Sequence, residues 1–289
     1  MIGVAVEEKI KQIALQRGAD VAGIASVKDI NKSAPRGHRP GDLLAGAKSV
    51  ITIGARRYTA GTWMTSSTEV MHRSRSAMGT RDAIPLVLAR YLEEKQGYPS
   101  IVYNAHMTDT GMNVSLSLKV LAEYAGLGSR SMAGGIILNK KFGLLGFSAV
   151  VTTMELTPDG LLSKPVCPHS SCIKMWNKKK TTPCMDACSA IEGTINGSRL
   201  QDVIYYRQLC ATRALTTMNA AYLRLLSEII KEEDPEKRKF LAIGQARQYA
   251  EDPPGRGIWG RCIECMRVCP VNRKAFKSFL KSREGAANE

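Results

Sequence analysis

Eight cysteines carry the first chemical signal in this chain of 289 residues: Cys167, Cys172, Cys184, Cys188, Cys210, Cys262, Cys265 and Cys269. None precedes residue 167. The last three form Cys262-x2-Cys265-x3-Cys269-Pro270, the closing part of a bacterial-ferredoxin cluster motif, with Cys210 standing in for the first ligand. Upstream, Cys167-x4-Cys172 is followed by an eleven-residue gap and then by the usual x3 step from Cys184 to Cys188. Ser189 stands where that motif usually has proline. Two [4Fe–4S] clusters take four thiolates each, and the eight cysteines match that number with none over.

A single zinc ion is the competing reading. Cys184-x3-Cys188 with Cys262-x2-Cys265 can close a tetrahedral site of four thiolates, but this leaves four cysteines and the C-x3-C-P ending without a role. Disulfides belong to oxidising compartments, so reduced, metal-binding thiols place the chain in the cytoplasm. His169, between Cys167 and Cys172, is either an alternate ligand or a neighbour that tunes the site.

The elements that must position these thiols are legible as hydrophobic periods. Residues 5–17 put Val6, Ile10, Ile13 and Ala14 on one helical face, and further amphipathic helices are expected at 83–95 and 114–124. Short apolar, β-branched runs predict strands at 20–26, 48–54, 100–104, 134–138 and 144–154. Helices and strands alternate up to about residue 160, which predicts an α/β or α+β domain over 1–160. From 161 to 289 the texture changes to loops, cysteines and basic residues. Helices are expected there near 199–209, 213–231, 235–250 and 272–281. The gap at 173–183, with Lys178, Lys179 and Lys180, reads as a surface loop, and the Thr/Ser-rich stretch 59–68 as a mobile segment.

Composition bounds the partners. The chain carries 41 Lys and Arg against 26 Asp and Glu, a net charge of +15, with 44% hydrophobic and 23% charged residues. That charge suits a solvated basic surface, docking to an acidic redox partner or nucleic-acid binding, although no nucleic-acid motif is present. No apolar run is long enough to span a bilayer, so no membrane partner is expected.

At this point the sequence resembles the superfamily of epoxyqueuosine reductases and corrinoid-dependent reductive dehalogenases. The carrying features are the four-cysteine motif, the lone Cys210 and the terminal C-x2-C-x3-C-P. Asp20–Ser26, Leu43–Gly54, Ala122-Glu-Tyr-Ala-Gly-Leu-Gly128 and Val150–Leu156 add to them. The resemblance implies a nitroreductase-like domain holding a base-off cobalamin, followed by a helical, ferredoxin-like domain with two [4Fe–4S] clusters. It implies one cluster on Cys167, Cys172, Cys184 and Cys269, and the other on Cys188, Cys210, Cys262 and Cys265. Gly126, Gly128, Gly134 and Gly135 would border the corrinoid. The family's acidic proton donor aligns near Met112, and its Gly-Lys after the turn is here Ser131-Met132, so the substrate-specific residues depart from the pattern.

Tyr103, His106 and Asp109 follow a predicted strand and are the candidate proton donors, a role that needs an acid. For each there is a plain alternative: strand packing for Tyr103, helix capping for Asp109. Arg56, Arg57 and Tyr58 end another strand and could face corrinoid, substrate or solvent. The expected function is a corrinoid-dependent iron–sulfur reductase acting on a small molecule or modified nucleoside. It would be fed by a low-potential donor such as ferredoxin or flavodoxin. A non-catalytic electron carrier or corrinoid-reducing protein is the alternative, and a tRNA-modifying reductase of epoxyqueuosine type a further one.

Overall fold

The computed structural model describes residues 5–56, 58–64, 79–104, 115–210, 220–251 and 264–275. Helix α1 (Val6–Gln16) leads into β1 (Val21–Ser26), α2 (Val27–Ser33), the single turn α3 (Pro40–Leu43), β2 (Ser49–Arg56) and α4 (Ala60–Met64). Then come α5 (Gly79–Glu94), β3 (Ser100–Tyr103), α6 (Leu118–Tyr124), β4 (Ser129–Arg130), β5 (Ile137–Asn139) and β6 (Gly143–Thr152).

These strands form one antiparallel sheet of order β1-β2-β6-β5-β4, with β3 also paired to β6. Strand β6 is the hub, and all ten of its residues are buried. Its sequence explains why, because alternate side chains of a strand face opposite ways and here both faces are apolar. Val150 joins Ile24, Ile51 and Ile53 under α1 and α5, where Ile10, Ala14, Ile84, Leu88 and Leu92 close the layer. Ala149 and Val151 join Ala25, Val50 and Phe147 on the other face, under Leu121 and Ala122 of α6 and Ile30 of α2. The expected mixed α/β class is what the chain forms, with helices on both faces of an antiparallel sheet. Gly23 lets β1 run directly beneath the end of α6, because a Cβ there would strike the carbonyl oxygen of Ala125.

The stretch after β6 is strapped back onto this layer. Leu156 N–H donates to Ser49 Oγ (2.9 Å), Thr157 N–H to Glu7 (3.0 Å), and Asp159 accepts from Ile24 N–H (2.7 Å) and Lys11 Nζ (2.5 Å). The bond from Thr157 holds the Glu7 carboxyl below its ordinary pKa. Val166 N–H then donates to Ser129 Oγ (2.7 Å), which delivers the chain to Cys167 at a fixed point on the sheet domain.

Beyond it lie α7 (Ser170–Lys179), α8 (Pro183–Ala187), the hairpin β7 (Ile191–Asn196) and β8 (Arg199–Tyr205), α9 (Ala220–Lys231), α10 (Pro235–Glu251) and α11 (Glu264–Arg267). Residues 270–275 are helical. Two expectations need correction. The segment read as a surface loop contains α7, whose first turn is capped by His169 Nδ1 accepting from Ser171 N–H, and whose end is closed by left-handed Lys180. Residues 199–205 are strand, because Gly197 (φ +59°) opens a two-residue turn that pairs Asn196 with Arg199. Within the stretch 59–68, residues 60–64 form α4, whose Trp63 is buried beside Tyr58 with ring centroids 5.9 Å apart, and 65–68 lie outside the described residues.

Candidate metal centres

Four thiols from four separate elements of the chain line one pocket. Cys167 arrives from the strap, Cys172 from the first turn of α7, Cys184 from α8, and Cys269 from the bend between α11 and the helix at 270–275. All four are buried. The pocket has an empty volume of about 380 Å³ including its mouth, and its wall is largely apolar: Met132, Ala133, Ile195, Met266 and Val271. Ser131–Ala133 belong to the sheet domain, so the pocket is built from both parts of the chain.

Local sequence explains each approach. His169 starts α7 so that Cys172 faces inward while Lys174, Lys178 and Lys179 stay exposed. Pro183 occupies the first turn of α8, where its missing N–H costs nothing, one residue before Cys184. Pro270 begins the last helix directly after Cys269. That helix is locked to the sheet by Asn272, which is fully buried, donates to Met266 O (3.1 Å) and packs against Gly143 (φ +66°), a position where any side chain would strike it.

Electrostatics in the pocket favour the protonated thiol. Burial pushes Cys167 up to about 12, with the neighbouring Cys269, Cys184 and Cys172 adding to the rise and the Met132 N–H, 3.5 Å from its sulfur, opposing it. Burial likewise pushes Cys172 up to about 11 and raises Cys184 and Cys269. Four neutral thiols around an apolar pocket suit a cationic metal group, whose binding would drive off the protons. Among the described residues, no three His, Cys, Asp or Glu side chains come close enough together to hold a single ion.

A second thiol group adjoins the first. Cys188, Cys210 and Cys265 pack on the same apolar core, and all three lie near the phenol of Tyr205. Cys262 lies outside the described residues. Burial of its hydroxyl raises the Tyr205 pKa first, and the neighbouring Cys210 second. Lys119 of α6 reaches in from the sheet domain: its ammonium donates to Gly134 O (3.0 Å) and lies 5.7 Å from the Tyr205 ring centroid. Desolvation lowers the Lys119 pKa, Arg130 adds to this, and Cys210 and Cys265 pull the other way. Neither Lys119 nor Tyr205 was expected from the sequence. Nothing in their spacing points at the thiols, since Lys119 reads as one more helical cation and Tyr205 as one more aromatic.

The other sequence candidates fall as follows. Tyr103 is fully buried, and its hydroxyl both donates to Leu116 O and accepts from Leu116 N–H, each at 2.8 Å. Burial raises its pKa. His106 and Asp109 lie outside the described residues. Arg56 is paired with Asp20 (2.8 Å), Tyr58 is buried, and Arg57 lies outside the described residues. Gly126, Gly134 and Gly135 all have positive φ. A Cβ would come within 2.7 Å of Gly160 O at Gly126, 2.5 Å of Leu138 O at Gly128 and 2.7 Å of the Tyr205 ring at Gly134. The space beside these three glycines is therefore filled by the protein itself, while Gly135 faces open space.

No family model matches the chain, and no curated protein matches it. Solved structures do. An epoxyqueuosine reductase from Streptococcus thermophilus aligns over 93% of this chain at 14% identity, with a TM-score of 0.50. A catabolic reductive dehalogenase in complex with 3-bromo-4-hydroxybenzoic acid aligns over 90% at 16% identity, with a TM-score of 0.52. Another reductive dehalogenase, described in terms of B12-dependent dehalogenation, aligns over 90% at 15% identity, with a TM-score of 0.50. The chain spans 66% of one epoxyqueuosine reductase, 67% of another and 37% of these two dehalogenases. At such identities the likeness speaks for the fold, and the fold is the one found in epoxyqueuosine reductases and reductive dehalogenases.

Proposed function

We propose that the chain is a reductase whose C-terminal part, 161–289, holds two [4Fe–4S] clusters and whose α+β part, 1–160, presents them to a corrinoid and an organic substrate. The observation that carries it is the meeting of Cys167, Cys172, Cys184 and Cys269 around one apolar pocket. A lone zinc would draw its thiolates to about 2.3 Å from a single centre, whereas thiols spread around a pocket suit a cluster that spends one sulfur on each iron. Cys188, Cys210, Cys262 and Cys265 would take the second cluster. Bound there, such clusters supply one-electron chemistry at low potential. Met132, Ala133, Met266 and Val271 keep water from the first site, and Met132 N–H points at a ligand sulfur.

The corrinoid rests on the fold, while on the side where a Cβ would stand Gly126, Gly128 and Gly134 pack against the chain's own atoms. That packing favours a second reading, an iron–sulfur electron carrier that docks an acidic partner through its basic surface. A third, action on tRNA, is supported by the net charge of +15 and the likeness to an epoxyqueuosine reductase.

Metal and corrinoid analysis of protein purified without oxygen and reconstituted with iron, sulfide and cobalamin separates these. About eight irons and one cobalt per chain are expected. The same iron without cobalt supports the carrier, and zinc in place of iron overturns both. Binding of tRNA with a steep salt dependence would support the third.

A further inference from the structure

Thr182 stands directly before α8, where a threonine hydroxyl usually caps a helix by accepting from one of its first N–H groups. Here its side chain makes no such cap. Thr182 Oγ1 lies instead 3.2 Å from Cys184 Sγ, and the residue is 1% exposed in the wall of the first pocket. The turn around it is fixed: Asp186 N–H donates to Thr182 O (3.0 Å), and Thr181 Oγ1 donates to Asp186 Oδ1 (2.6 Å). A second hydroxyl residue lines the same pocket from the sheet domain. Ser131 is 2% exposed, and its Oγ has no hydrogen-bond partner among the described residues. Buried hydroxyls are normally paired, so an acceptor that arrives with the pocket's ligand accounts for this one.

We propose that Thr182 and Ser131 are positioning residues that raise the reduction potential of the cluster held by Cys167, Cys172, Cys184 and Cys269, Thr182 by donating its O–H to Cys184 Sγ and Ser131 by donating to a sulfur of the cluster. This rests on the cluster reading above. While Cys184 keeps its proton, either group can be the donor. A metal-bound thiolate has no proton to give, so the hydroxyl then donates. Adding one electron to the site adds one negative charge and moves no proton. An O–H dipole directed at a sulfur favours the more negative state, and hydrogen bonds to cluster sulfurs are a lever on potential. Met132 N–H, 3.5 Å from Cys167 Sγ, acts in the same direction from the residue beside Ser131. Among the described residues no other cysteine lines this pocket, so the effect of the two hydroxyls is confined to this site. An electron held there is stabilised by donors from both parts of the chain.

The test is a redox titration, with dithionite as reductant and cluster EPR as readout, on the reconstituted full chain. Cys172→Ser identifies the signal of the first site. Thr182→Val keeps the shape of the side chain and removes the O–H, Thr182→Ser restores the O–H, and Ser131→Ala removes the second hydroxyl. The expected result is a shift of only the Cys172-dependent signal to lower potential in Thr182→Val and in Ser131→Ala. Its size is up to a tenfold change in the oxidised-to-reduced ratio, about 59 mV for one electron, with Thr182→Ser close to wild type. An unchanged potential in one fully loaded variant overturns the role of that residue, and unchanged potentials in both overturn the proposal. An equal shift of both signals overturns it as well, as does a Thr182→Ser variant that behaves like Thr182→Val. If Thr182→Val fails to load, Ser131→Ala decides. If both fail to load while wild type succeeds, these hydroxyls build the site rather than tune it, and the proposal falls. A wild-type chain that takes up no iron instead overturns the cluster reading beneath it.

Discussion

Around Cys167, Cys172, Cys184 and Cys269 the wall is mostly methionine, alanine, isoleucine and valine, with the Thr182 hydroxyl 3.2 Å from the Cys184 sulfur; around Cys188, Cys210 and Cys265 it includes a phenol and an ammonium. Both groups pack on one continuous apolar core that runs from Tyr58 and Leu144 to Val271. The donor atoms are the same, so any difference in behaviour comes from the second layer of residues. The first pocket is shut by the last helix and by a turn of the sheet domain. The second is reached by a long side chain from α6. The first is mostly enclosed, with polar contacts to two of its sulfurs from Met132 N–H and the Thr182 hydroxyl, and the second lies beside a phenol and an ammonium.

The strongest way to break this comparison is to remove one thiol. Cys167→Ser should cost the chain about four of roughly eight irons, measured by iron and sulfide assay, and leave the second group loaded. Loss of all the iron would mean that the two groups do not act as separate sites. Next in size is the joint between the last helix and the sheet. Gly143→Ala sets a Cβ against Asn272 at a positive φ, which should cost about 1–3 kcal/mol of stability. It should release iron from the first pocket before the second, seen by denaturant titration followed at both EPR signals.

The pH dependence of the cluster-free protein sharpens the account of enclosure. The Cys167 and Cys172 thiols, ordinarily near 9.0, are pushed up to about 12 and about 11 in the folded chain. A group with a raised folded pKa stabilises fully below its unfolded pKa and loses that stabilisation as pH rises through the folded value. Stability of the cluster-free chain should therefore fall between about pH 9 and pH 12, and Cys167→Ala with Cys172→Ala should flatten that fall, read from melting curves. The smallest effect on the metal sites belongs to Tyr103→Phe. Losing the hydroxyl that serves both backbone groups of Leu116 should cost about 1–3 kcal/mol with iron content unchanged. A loss of reductase turnover at unchanged stability would return Tyr103 to the chemistry.

Local rules were a good guide wherever a segment carries its own period. The unbroken, largely apolar runs of β2 and β6 and the 3.6-residue spacing of Ile10, Ala14, Leu88 and Leu92 mark their elements, because burial on both faces leaves a continuous run and burial on one face a period. They misled where the signal is short. Asn196-Gly197 announces a hairpin, yet the exposed, weakly alternating run Arg199–Tyr205 reads as helix without its partner strand. Ser170–Lys179 looks like a polar loop until His169 and Lys180 are recognised as its caps.

By itself the sequence determined the donors, their number, their confinement beyond residue 167 and the apolar periods of the sheet domain, since ligand type and local period are properties of near neighbours. Tertiary structure alone decided that Cys269 meets Cys167, Cys172 and Cys184, because that meeting depends on Asn272 seating against Gly143 far away in the chain. It also decided that Lys119 and Tyr205 stand beside the other thiols. Charge and hydrogen bonding act through space, and the distance between α6 and the end of β8 is set only when the two parts of the chain close on a common core.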